Sequence, residues 1–173
     1  PTVGALKHAL KAVQLGADLI TIQGGEGGGH TGGVPSSILL PQVLDGVSVP
    51  VIAAGGFATG RGLASALAAG ASGIAMGTRF LMTRESPTPA ATLERYLKVN
   101  DPQQVRVTLA VDGMRHRMIE NRFINHLEQA GPFGRLRIAL GSAWQWKQHT
   151  GMSLGHMAGG FFRALREDPA ALS

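Results

Sequence analysis

PVIAAGGFATGRGLASALAAGASGIAMGTRF, residues 50–80, reads as strand, glycine turn, helix, strand and glycine turn in one unbroken pass. VPVIAA (49–54) is short, apolar and β-branched, as a buried strand is, with Pro50 near its start where a missing donor matters least. Thr59 stands where an N-cap belongs, before the small-residue helix GRGLASALAAG that Gly70 stops. SGIAM (72–76) is the next strand. Upstream the same grammar repeats. GALKHALKAVQLG (4–16) is an amphipathic helix, ADLITI (17–22) a strand, and SILLPQVLDGV (37–47) a helix with an early Pro41. Strand centres fall near Ile20, Ile52 and Ile74, with a helix between each pair. Parallel strands need such crossovers, and strands apolar throughout are expected to be covered on both faces. Residues 1–80 are therefore predicted to be three consecutive βα units of an α/β protein.

Composition narrows the classes. A chain of 173 residues, 44% hydrophobic and 16% charged, suits one folded domain. It has no Cys, which removes disulfides, thiolate metal sites and Cys nucleophiles, and no metal site is expected. Net charge is +5, but the basic residues are dispersed among acids, so nucleic acid is not an expected partner. Residue 1 is Pro, no signal-like opening follows it, and no uncharged apolar run reaches the ~18 residues of a membrane span. No membrane partner is expected, and the expected setting is cytoplasmic.

Beyond residue 81 the grammar changes. Ser86–Pro89 is a turn, ATLERYLKV (91–99) a helix and Arg106–Leu109 a short strand. MRHRMIENRFINHLEQAG (114–131) is predicted as helix throughout, placing Arg115, Arg117 and Arg122 on a solvated face. Residues 141–151 carry Trp144, Trp146 and His149 without a period, and SLGHMAGGFFRALRED (153–168) reads as a closing helix. Residues 81–173 are expected to form a helical extension that packs on 1–80 rather than a domain of its own.

Chemistry is expected outside the carboxyl ends of the strands. Three loops lie there: 23–33, 55–59 and 77–80. Gly55–Gly56 and Gly77–Thr78 stand 22 positions apart, one βα unit. If their strands are neighbours, their backbone N–H groups, the Thr78 hydroxyl and the N-terminus of the 60–69 helix can converge on a phosphate. The alternative is that these glycines only make tight turns. QGGEGGGHTGG (23–33) puts seven glycines around Glu26 and His30 at the rim of the same mouth. His30 there suits proton transfer near neutrality. Glu26 suits pairing with an Arg or holding the loop's own amides.

ADLITIQGGEGGGHTG together with the 50–80 stretch resembles the nitronate monooxygenase family, formerly 2-nitropropane dioxygenases. The resemblance implies an FMN enzyme on a TIM (β/α)8 barrel, of which 1–80 would be the last three βα units and 81–173 the more variable helical tail. It implies that Gly55, Gly56, Gly77 and Thr78 hold the FMN phosphate. Gln23, Gly28 and Gly29 would lie by the flavin ring, and His30 would be the catalytic base. The implied reaction oxidises an alkyl nitronate to a carbonyl compound and nitrite with dioxygen. The rest of the barrel, a separate chain half or a homo-oligomer would complete the structure.

Two other readings compete. Flavin-dependent enoyl-thioester reductases carry a similar glycine–histidine loop and use NAD(P)H through FMN on acyl thioesters, where Arg115, Arg117 and Arg122 could meet CoA phosphates. A non-catalytic piece that binds a phosphate ligand or a partner chain is the third.

Overall fold

A computed structural model describes residues 1–111 and 113–131, together with 134, 138 and 141. The elements in chain order are β1 (Thr2–Val3), α1 (Leu6–Gln14), β2 (Ile20–Gln23), β3 (Gly29–His30), α2 (Ser36–Gly46), β4 (Val51–Ala54) and α3 (Gly60–Ala68). After them come β5 (Gly73–Ala75), α4 (Thr78–Leu81), α5 (Ala90–Leu97), β6 (Val105–Thr108), β7 (His116–Ile119) and α6 (Arg122–Gln129). The predicted closing helix and Trp144, Trp146 and His149 lie outside the described residues.

The chain divides into two compact units. The first holds residues 1–108 and 115–119, so it runs well past residue 80. Its main sheet is parallel, in the order β1-β2-β4-β5. Successive strands of this sheet lie side by side, each joined to the next through a helix, as parallel pairing requires. Along β2 and β4 burial alternates strictly. Ile20, Ile22, Val51 and Ala53 pack against Ala9, Leu39, Leu40, Val43 and Ala66 of α1, α2 and α3. Thr21, Gln23, Ile52 and Ala54 face the other way and are only half-buried. The expectation of strands covered on both faces is thus corrected. Among the described residues the helices cover one face only.

Local signals act where the sequence places them. Thr59 caps α3, its Oγ1 accepting from the Gly62 amide at 3.3 Å. Thr59→Ala is expected to lower stability by about 1 kcal/mol in a urea titration, because it orphans a helix-terminal donor. Gly16 and Gly70, after α1 and α3, have φ of 92° and 101°, conformations that favour glycine.

The second sheet corrects the sequence reading most sharply. Residues 116–119, expected to be helical, form strand β7, and the helix α6 begins only at Arg122. β7 is the centre of a three-stranded antiparallel sheet ordered β3-β7-β6. Arg115 and Arg117 therefore do not lie on a helix face; of the three arginines only Arg122 is helical. The second unit takes in 109–111, 113–114 and the α6 segment from Glu120. There the Asn121 side chain caps α6 by accepting from the Ile124 amide at 3.0 Å. Among the described residues no helix is long and apolar enough to cross a membrane.

Candidate active site at the strand ends

Because β2, β4 and β5 are parallel neighbours, the loops that follow them emerge on one edge of the sheet. The register pairs Gln23 with Ala54, and Ala54 with Ala75. The 23–33 loop, the 55–57 turn and the 77–78 turn therefore stand side by side.

Gly55 and Gly56 both have positive φ, 95° and 80°. A Cβ on Gly55 would lie 3.0–3.2 Å from Gly27 N, Gly24 O and Gly24 N, and one on Gly56 3.2 Å from Glu26 Cβ. These two glycines let the 55–56 turn nest against the 24–27 backbone. Gly77 is different. A Cβ there would meet nothing within 4 Å, so packing inside the described chain gives no reason for glycine. A Cβ on Gly28 would come 3.6 Å from Thr78 Oγ1, which places the histidine loop beside the 77–78 turn.

Among the described residues, the amides of Gly56, Phe57, Gly77 and Thr78 donate to no protein acceptor. Four open amides and a hydroxyl on adjacent turns, close to the first turn of α3, form a donor set suited to a phosphate. The side chain of Gln23 is turned to the loop itself. Its Nε2 donates to His30 O at 2.7 Å, and a Cβ on Gly27 would collide with it. Gly29 has φ 75° and open space beside it, so the backbone is bare on that side.

Glu26 is a brace. Its Oε2 accepts from the Ser36 amide at 2.9 Å and from Ser36 Oγ at 2.8 Å, tying the loop to the start of α2. Ser36 Oγ also lies 3.0 Å from Gly55 O, which links the brace to the next loop. Partial burial pushes the Glu26 carboxyl up, but the Ser36 donors, its own amide and the Arg117 guanidinium outweigh it and hold it below its ordinary value of 4.5. A carboxylate lowered in the folded state stabilises fully above its unfolded value, and loses that contribution as pH falls through the lower folded value. Urea titrations from pH 6 downward are expected to show stability falling more steeply below pH 4.5 in the parent than in Glu26→Gln.

His30 is exposed, and its ring lies 3.7 Å from that of His116, centroid to centroid, at 51°. Arg117 Nε donates to Gly25 O at 3.0 Å, and the Arg115 guanidinium lies over Gly33. Sequence reasoning missed His116 and Arg117 at this loop. A cleft of about 430 Å³ between α2 and α3 is lined by Glu26, Ser36, Gly55, Gly56 and Phe57 with Leu40, Pro41 and Ala66. Neither His30 nor Thr78 borders this cleft.

A (3aS,4S,5R,7aS)-5-hydroxy-7a-methyl-1-oxo-octahydro-1H-indene-4-carboxyl-CoA dehydrogenase of Rhodococcus jostii is 51% identical over 152 residues, 88% of this chain and 43% of that protein. A probable nitronate monooxygenase of Staphylococcus aureus is 36% identical over 138 residues, 74% of this chain and 39% of that protein. Among solved structures, FabK from Thermotoga maritima matches with TM-score 0.72 at 35% identity, over 84% of this chain and 47% of its own. Nitroalkane oxidase from Streptomyces ansochromogenes matches at 0.65 and 36%, over 72% and 39%. The chain spans less than half the length of the curated relatives it matches. The family model for nitronate monooxygenase matches residues 1–150, far beyond the 1–80 stretch that carries the motifs, and the chain belongs to that family.

Proposed function

We propose that this chain supplies the phosphate-holding and proton-transferring part of an FMN-dependent oxidoreductase built on a (β/α)8 barrel. The observation that carries the reading is the convergence of the His30 loop with the open amides at 55–57 and 77–78. Bound FMN would supply a two-electron acceptor or donor. The chain's own contribution would be threefold. Gly56, Phe57, Gly77 and Thr78 hold the phosphate by their amides, and Gly28 and Gly29 leave backbone bare for a flat ring. His30 takes a proton from a carbon made acidic by a neighbouring electron-withdrawing group.

The relative of 51% identity favours an acyl-CoA thioester as substrate, its carbonyl acidifying the α-carbon. The substrate would then lose a proton to His30 and a hydride to the flavin. A second reading, oxidation of an alkyl nitronate by dioxygen to a carbonyl compound and nitrite, is favoured by the 36% identical relative and by the nitroalkane oxidase structure. In this second reading His30 would act as a base only where the substrate arrives as the neutral nitroalkane. A third, NAD(P)H-dependent reduction of an enoyl thioester, is favoured by the likeness to FabK. Anaerobic mixing of the flavin-loaded protein separates them. Bleaching by a saturated acyl-CoA supports the dehydrogenase, bleaching by a nitronate the oxidase, and bleaching by NAD(P)H the reductase. Protein that neither retains nor rebinds FMN would contradict all three.

A further inference from the structure

We infer that His116 is a positioning residue, whose ring seats the imidazole of His30. The inference rests on the reading of His30 as the base. The 23–33 loop holds seven glycines, and such backbone is costly to order. Something must hold the one imidazole it carries. β7 does so at several points. His30 stands directly opposite His116 in the antiparallel register, and the rings touch at 3.7 Å. The Thr31 amide donates to Arg115 O at 2.9 Å, extending the ladder past β3. Arg117 Nε reaches Gly25 O at 3.0 Å on the far side of the loop.

β7 is itself held from the other side by β6, four residue pairs long, from Val105↔Ile119 to Thr108↔His116. It is therefore a central strand and not a flap that moves with the loop. Directly opposed side chains on adjacent antiparallel strands have Cβ atoms about 5 Å apart, close enough for one ring to limit the rotamers of the other. Register matters equally. A slip by one residue would set Arg115 or Arg117 opposite His30 and turn His116 to the other face. Residues almost ninety positions downstream thus decide where the loop's imidazole sits.

The test compares His116→Leu, which keeps bulk without a ring, with His116→Phe, which keeps a ring. His30 ring resonances, assigned with His30→Asn, are read by NMR in the full chain, and steady-state rates are read in the flavin-loaded protein. In His116→Leu the His30 resonances are expected to lose the ring-current shift and kcat to fall at least about tenfold with KM nearly unchanged, as a small misplacement of a reacting group does. His116→Phe is expected to restore both. Unmoved His30 resonances in His116→Leu, or phenylalanine no better than leucine, would overturn the inference. So would an undiminished kcat in His116→Leu if His30→Asn is inactive. Undiminished turnover in His30→Asn instead removes the base from the proposed reaction, and the NMR comparison then decides the seating alone. Should the leucine variant fail to fold, His116→Met takes its place.

Discussion

Gly24→Ala is expected to destabilise the chain by about 3 kcal/mol or more, at the upper end of what overpacking costs. Gly24 is buried at the exit of β2, and a Cβ there would land on the backbone N and Cα and the hydroxyl of Ser36. Those atoms cannot step aside cheaply. The Ser36 amide and hydroxyl hold Glu26, the hydroxyl also reaches Gly55 O, and Ser36 opens α2. The Gly24 amide meanwhile donates to Ala54 O at 3.1 Å, and its carbonyl accepts from Gly27 N at 3.0 Å and Thr31 Oγ1 at 3.1 Å. One methyl group would therefore push apart the β2 exit, the β4 exit and the start of α2 together. Urea unfolding of parent and variant measures the loss. A variant within 0.5 kcal/mol of the parent, the range of ordinary surface changes, would mean that this junction is looser than the contacts imply.

His30→Asn is expected to keep flavin while slowing turnover of a neutral carbon acid by roughly 10²–10⁴-fold, the usual worth of a positioned general base. Asparagine keeps a polar side chain of similar reach without a basic nitrogen. Retained flavin follows from where the proposed phosphate donors lie. They are on the 55–57 and 77–78 turns, whereas His30 interacts through its ring with His116 and through its carbonyl with Gln23. A substrate supplied already as its anion needs no proton removed, so its rate should fall far less. Equal losses for the neutral and the anionic form would mean that His30 binds or orients rather than abstracts.

Much of the parallel sheet could be read directly from the chain because its signals are local. The runs around Ile20, Ile52 and Ile74 are apolar and short enough to declare strands, and Thr59 and Gly70 bracket α3. Proximity of the three loops followed from neighbouring strands, and the register bears it out. What escaped was non-local. β1 is two residues long and shows no period. β3 is a Gly–His pair that no propensity would name a strand. HRMI at 116–119 carries no alternation of apolar and polar residues, and becomes a strand because β3 and β6 offer it hydrogen bonds on both sides. Tertiary pairing overrode the local helical reading there. His116 and Arg117 were invisible as loop contacts for that reason alone.

Glu26 was legible in part. Its carboxylate was expected either to pair with an Arg or to hold the loop's own amides; what it holds is the Ser36 amide and hydroxyl at the start of α2, with Arg117 acting on it only as a nearby charge. Gly55 and Gly56 carry two requirements at once. Close packing on Gly24, Gly27 and Glu26 already demands glycine there, so their presence alone does not argue for a ligand, whereas Gly77 has no such internal demand.

An amide-resolved NMR titration with FMN and with riboflavin tests the central claim most directly. The two ligands share the ring and differ in the phosphate. FMN is expected to shift the Gly56, Phe57, Gly77 and Thr78 amides strongly, and riboflavin to leave those four nearly unmoved while disturbing Gly28 and Gly29. Four unmoved amides under saturating FMN, or identical shifts with both ligands, would contradict a phosphate cradle at the ends of β4 and β5.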